Sequence, residues 1–190
     1  MTPEVAQTPI EAISKRPRGR PRKTVDERDD GNRRQALLTA AAQLFRRKGF
    51  AATTTRDIAA AAGMQSGSPF YHFKSKGALL YAVMEEGMHS ALARQRAAVV
   101  APGQADLPPA AQLHTLVRAH FDVLLGPGSD FVPVMLYESR SLPLRQQKSL
   151  GKLIADYEAL WLPVLTALHA SGELNAPVRL ARLLILGALN

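Results

Sequence analysis

From Arg33 onward the apolar positions Leu37, Leu38, Ala41, Leu44 and Phe45 recur at three- and four-residue spacing, the signature of a helix with one buried face. Arg46, Arg47 and Lys48 suit the negative end of its dipole, and Gly49 supplies a left-handed stop. Thr54 and Asp57 have capping-box spacing, which predicts a second helix from there to Ala62, closed by Gly63. A short third helix is predicted to begin near Ser66. Pro69 then becomes its third residue, where a missing N–H has no intrahelical partner to lose. A fourth helix opens at Ser75–Lys76 and carries the stripe Leu79, Leu80, Val83, Met84, Met88, Ala91 and Leu92 as far as about Val100. The segment PGQADLPP (102–109) breaks the pattern. Helical stretches follow over about 110–125, 131–140 and 145–170, bounded by the GPGSD loop, Pro143 and Gly172, with Pro163 expected to kink the last of them. A final apolar pattern runs from Pro177 through Leu180, Leu183, Leu184, Ile185, Leu186 and Leu189. Strand-like alternation and internal repeats are lacking, so the expected fold is all-α, with about eight helices.

Composition narrows the class. The chain has 190 residues, 46% of them hydrophobic, yet no run of 18 apolar residues that would cross a membrane. Its first ten residues, MTPEVAQTPI, lack the basic and apolar blocks of a signal peptide, and Cys is absent, so a cytoplasmic protein without disulfides or thiolate metal sites is expected. The net charge of +8 is unevenly placed. Residues 15–23 carry +6, residues 33–80 carry +7, and residues 81–190 sum to zero. That asymmetry points to a polyanion as the partner of the N-terminal part. Three regions are therefore expected: a disordered basic arm (1–32), a three-helix helix-turn-helix unit (33–80), and a neutral helical domain (81–190).

The block RRQALLTAAAQLFRRKGFAATTTRDIAAAAGMQSGSPFYHFKSKGALLYAVME (33–85) resembles the DNA-binding domain of the TetR (tetracycline-repressor-like) transcriptional regulators. Several spaced signatures carry the resemblance: LFRRKGF, TTTRDIAAAAG and a short helix ending HFKSK. It implies an N-terminal operator-binding domain, a helical ligand-binding and dimerisation domain, and a two-fold homodimer. The third helix is the expected reader, with Ser66, Gly67 and Ser68 facing base edges in the major groove and Tyr71 reaching a base or a phosphate. The resemblance assigns a base contact to Arg56 and phosphate contacts to Thr55 and His72. Lys76 opposes the dipole of its own helix, a cost that a docked phosphate would reverse. The sequence departs from the family pattern at Phe70, which replaces a tyrosine, and at Pro69, which replaces an aliphatic residue.

In the arm, Arg18-Gly19-Arg20-Pro21 has the composition of an AT-hook, in which a slim glycine lets Arg18 and Arg20 follow a narrow A·T minor groove. The five histidines of the chain show no metal-ligand spacing, no nucleophile or phosphate-loop motif is present, and no cofactor is implied. His114 and His120 read as a core or pocket pair. Phe121, Met135, Tyr137, Arg140, Tyr157 and Trp161 are the candidate ligand-pocket residues. The SGS lead-in to the reader helix and the ADYEALWLPVL stretch resemble the branch of the family that responds to acyl-CoA thioesters. The expected function is a sequence-specific regulator, a repressor released from a pseudo-palindromic operator in double-stranded DNA by an apolar, lipid-like or acyl-CoA effector. The alternative is an architectural protein binding A·T-rich DNA through its arm. Because the terminal apolar pattern stops at Asn190, the dimerisation domain is expected to be truncated at its C-terminal end.

Overall fold

The computed structural model describes residues 25–65 and 68–189, without the side chains of residues 25–29, Ser68 and Phe70. The described residues form nine α-helices, one 3-10 turn and no strand. In chain order they are α1 (Val25–Ala52), α2 (Thr55–Ala61), α3 (Ser68–His72), α4 (Lys76–Val99), α5 (Pro109–Leu125), α6 (Phe131–Glu138), the 3-10 turn Ser139–Ser141, α7 (Leu144–Ala159), α8 (Leu162–Ala170) and α9 (Val178–Leu189).

Three boundaries differ from the sequence reading. Helix α1 starts at Val25, so residues 25–32, expected to belong to a disordered arm, are helical. These turns lack an apolar face, which hides them from a periodicity argument. Asp26, Glu27, Asp29 and Asp30 fall near the positive end of the α1 dipole, where acids favour a helix. The stretch 145–170 is two helices rather than one kinked helix. The chain turns at Leu160 and Trp161, and Pro163 becomes the second residue of α8, where its missing N–H costs nothing. Finally, Pro69 is the second residue of α3 rather than the third.

Other boundaries follow the local chemistry. Gly49 breaks α1 with φ 79° and ψ 162°, a backbone region that is nearly closed to other residues. Ser75 caps α4 by accepting from the Ala78 N–H at 3.1 Å.

Helix α4 is the spine, packing against α1, α5, α6 and α7. Leu37, Leu44, Phe45, Ile58, Phe73 and Leu79 are all buried, and their cluster continues without a break into Val134 on α6 and Leu150 and Tyr157 on α7. The N-terminal three-helix unit and the bundle therefore share one core. A second cluster joins α5, α8 and α9 around Trp161, Leu116, Leu165 and Leu186. Helices α4 and α6 approach so closely that a Cβ on Gly87 would lie 2.2 Å from the Phe131 ring. No helix among the described residues is long and apolar enough to cross a membrane.

Candidate nucleic-acid interface and effector cavity

At the N-terminal end the capping box is complete. The Asp57 N–H donates to Thr54 Oγ1 at 3.1 Å and the Thr54 N–H donates to Asp57 Oδ2 at 3.0 Å. The Thr54 N–H, and after it the Thr54 hydroxyl, hold the Asp57 carboxyl below the usual carboxylate range. The two bonds of the box also fix the first turn of α2, on which Thr55 is half-buried and Arg56 exposed. After the turn at Gly63 (φ 70°), α3 is anchored by buried Pro69 at one end and by buried Phe73 just beyond the other. Tyr71 between them is 80% exposed, so α3 presents it outward. Ser68 is the first residue of α3. Ser66, Gly67, Arg18 and Arg20 lie outside the described residues.

Two residues expected to contact phosphate turn inward. His72 has a side chain only 6% exposed, and its Nε2 lies 3.8 Å from Asp30 Oδ1 on α1. The helical 25–32 segment, absent from the sequence reading, supplies that partner. Lys76 Nζ donates to the Phe50 carbonyl at 2.7 Å and the Thr53 carbonyl at 2.8 Å, with Ala51 O at 3.4 Å. It also sits 4.4 Å from the centre of the Phe50 ring. The cost of a cation at the start of α4 is offset by the carbonyls that end α1, and three acceptors use the three protons of the ammonium. Arg47, Lys48, Arg56 and Lys74 remain exposed on this end of the molecule.

Helix α6 is held to α1 at both ends. The Arg46 guanidinium donates to Asp130 Oδ1 at 2.6 Å, one residue before α6 begins. At the other end the Phe50 N–H, freed by the break at Gly49, donates to Glu138 Oε1 at 2.8 Å. Glu138 reads from sequence as a surface or dimer charge. Only the orphaned N–H after a glycine stop hints at an acceptor there, and nothing in the sequence says which residue provides it. Thr53 carries no sequence signal either: fully buried, it donates through Oγ1 to Gly49 O at 2.8 Å and ties down the same corner.

The other face of α6 borders a cavity of about 160 Å³. Met88 of α4, His120 of α5, Phe131 and Met135 of α6, and Ile154 and Tyr157 of α7 are among its lining residues. Of the six expected pocket residues, Met135 and Tyr157 are there. Phe121 (40% exposed) and Tyr137 (80% exposed) face outward, and Arg140 is exposed in the 3-10 turn. Trp161 is fully buried in the second cluster, edge-on to His120 with ring centres 5.8 Å apart. His114 and His120 are no pair, because six residues turn a helix about 600°, well off one face; His114 is exposed and His120 buried. A larger crevice of about 350 Å³ between α1 and α4 is lined by Gln35, Glu86, Ser90, Arg94 and Asp130, so it is the more polar of the two.

One buried polar chain crosses the cavity wall. His120 Nδ1 lies 2.8 Å from the Tyr157 hydroxyl, that hydroxyl donates to Gln95 Oε1 at 3.2 Å, and Gln95 Nε2 donates to Leu116 O at 3.1 Å. Burial pushes the His120 imidazole below its ordinary pKa and the Tyr157 phenol well above its own. No group of three acidic or histidine side chains suited to a metal ion occurs among the described residues.

Comparison with known proteins agrees with this two-part architecture. Residues 37–83 match the family model of bacterial regulatory proteins of the tetR family, and residues 106–190 match the tetracyclin repressor-like C-terminal domain. The transcriptional repressor KstR2 of Rhodococcus jostii is 31% identical over 154 residues, which span 80% of this chain and 73% of KstR2. Among solved structures, the superantigen PfiT is 39% identical with a TM-score of 0.70, over 83% of this chain and 81% of that one. A tetR-family regulatory protein from Rhodococcus RHA1 is 28% identical with a TM-score of 0.74, over 83% and 80% of the two chains. With a repressor matching along most of its own length, both family models in register with the two regions of the fold, and a capped reader unit joined to a cavity-bearing bundle, the chain belongs to the TetR family and is a DNA-binding regulator of transcription.

Proposed function

We propose that this regulator acts as a cytoplasmic homodimer that represses from a pseudo-palindromic operator and is released when an apolar effector enters the cavity beside α6. The observation that carries this reading is the position of α6. Phe131 and Met135 line the cavity, while Asp130 and Glu138 grip α1 at the base of the reader unit. A ligand that displaces α6 must strain or break the Arg46–Asp130 and Phe50–Glu138 contacts, and through them shift α1 against α2 and α3. Differential affinity of the ligand for the two arrangements is all that the switch requires. A tenfold loss of operator affinity needs only about 1.4 kcal/mol.

Arg56 and Tyr71 are the side chains proposed to read bases, with Thr55, Ser66, Gly67 and Ser68 beside them and Arg18 and Arg20 following the minor groove. The exposed cations Arg47, Lys48 and Lys74 replace Lys76 and His72 as the proposed phosphate partners.

An acyl-CoA, the class the sequence resemblance implies, would enter the cavity by its acyl end alone. Arg140 and Arg145, both exposed at the connection from α6 to α7, would meet its charged part outside. The architectural reading is not favoured, since it assigns no role to a cavity tied to the reader unit.

The test is operator binding by fluorescence anisotropy, with and without candidate effectors, on the wild type and on Glu138→Ala. The variant should bind operator and ligand but lose most of the release. Ligands that stabilise the wild type yet leave its operator affinity unchanged would overturn the switch.

A further inference from the structure

The polar chain in the cavity wall has a fixed direction. Gln95 Nε2 must donate to the Leu116 carbonyl, because a carbonyl only accepts, so Gln95 presents its Oε1 to Tyr157. Oε1 also only accepts, and the Tyr157 hydroxyl therefore spends its one proton on Gln95. His120 Nδ1, 2.8 Å from that hydroxyl, must then be the donor. A neutral imidazole protonated at Nδ1 carries a bare lone pair at Nε2. That atom is buried and has no hydrogen-bond partner, on a side chain only 4% exposed in the cavity lining. A buried acceptor left unpaired carries a desolvation cost that a donor in the cavity would remove. A hydroxyl group supplies such a donor.

We propose that His120 Nε2 is the specificity-determining acceptor of the effector site, and that the cavity takes a small, otherwise apolar molecule bearing a hydroxyl. This deepens the proposed function and rests on its assignment of the cavity. The volume of about 160 Å³ suits one small ring, since an apolar cavity of about 150 Å³ takes benzene.

The probes are phenol and benzene, matched in ring size and different in one hydroxyl. Calorimetric titration of the full chain without DNA should show phenol binding about tenfold tighter than benzene, a preference that His120→Phe abolishes. Long-range proton–nitrogen NMR of the imidazoles should find His120 protonated at Nδ1, with Nε2 moving on addition of phenol and not of benzene. Tyr157→Phe, which leaves the cavity but frees Nδ1, should mix the tautomers and weaken the preference. Should His120→Phe fail to fold, the wild-type titrations and the tautomer still decide the matter. Protonation at Nε2, equal affinities, a preference that survives in His120→Phe, or no binding of either probe would overturn the proposal. Equal affinities would also indicate that water already occupies the acceptor. None of these readouts involves DNA, so they stand apart from the switch; operator release by phenol tests that reading separately.

Discussion

Around the start of α2 the polar groups find partners close along the chain, whereas in the cavity wall they find them across it. Thr54 and Asp57 bond over three residues and Thr53 and Gly49 over four. By contrast, His120 and Tyr157 are 37 residues apart, and Tyr157 and Gln95 are 62 apart. Local partners form as soon as the backbone does, so the capped start of α2, in the α2–α3 head, is specified locally even though the core of the head is shared with the bundle. Partners from α4, α5 and α7 depend on how three helices pack, and they leave one acceptor open. The head suits a surface that must match a fixed duplex; the wall suits a site whose packing changes with its occupant. The two meet at α6, where Glu138 and Phe50 are 88 residues apart.

The sharpest way to break this contrast is to unpack the bundle. Trp161→Ala should cost about 3–5 kcal/mol in chemical denaturation, because a fully buried indole leaves a cavity behind. Trp161 belongs to the second cluster, but α5 packs that cluster against α4, whose core continues into the reader unit, so the head should lose protection from hydrogen exchange together with the bundle. A head that stays protected would separate the two regions.

Arg56→Ala tests the opposite end. It should weaken operator binding by about 1–3 kcal/mol and relax preference at one base pair per half-site, with no change in melting temperature. Equal weakening on every DNA sequence would remove its base-reading role. Thr54→Ala, which deletes the cap of α2, should cost about 1 kcal/mol of stability and leave effector binding intact.

The smallest effect expected is a pH dependence that belongs to the wall. Burial lowers the His120 pKa below its ordinary 6.5, so below that pH the unfolded chain binds a proton that the folded chain does not. Its contribution is complete above about pH 6.5 and is lost as pH falls towards the lowered value. Tyr157, raised by burial, stays protonated throughout this range, and Glu158, which also lines the cavity, is paired with the Arg182 guanidinium. Melting temperature followed from pH 8 to pH 5 should fall less steeply in His120→Phe.

Helix α4 illustrates what is readable in advance. Its cap at Ser75 and its stripe from Leu79 to Leu92 are local signals, and the observed helix agrees with them. The start of α1 is not readable, because residues 25–32 carry no apolar periodicity and Asp30 matters only once His72 is folded against it. The pocket is half readable. Met135 and Tyr137 are both apolar-bodied residues of α6, yet one lines the cavity and the other is 80% exposed. Two residues turn a helix by about 200°, and only the neighbours decide which side becomes interior.

The amino-acid order alone determined the helical class, the capped reader unit, the glycine stops and the placement of positive charge at the N-terminal end. Each depends on bonds or fields that act over a few residues. Tertiary structure decided that Lys76 bonds the carbonyls at the end of α1, that Glu138 joins α6 to the head, and that His120 Nε2 is left without a partner. Those outcomes join groups between 23 and 88 residues apart, whose meeting is governed by how helix faces pack and not by any pattern along the chain.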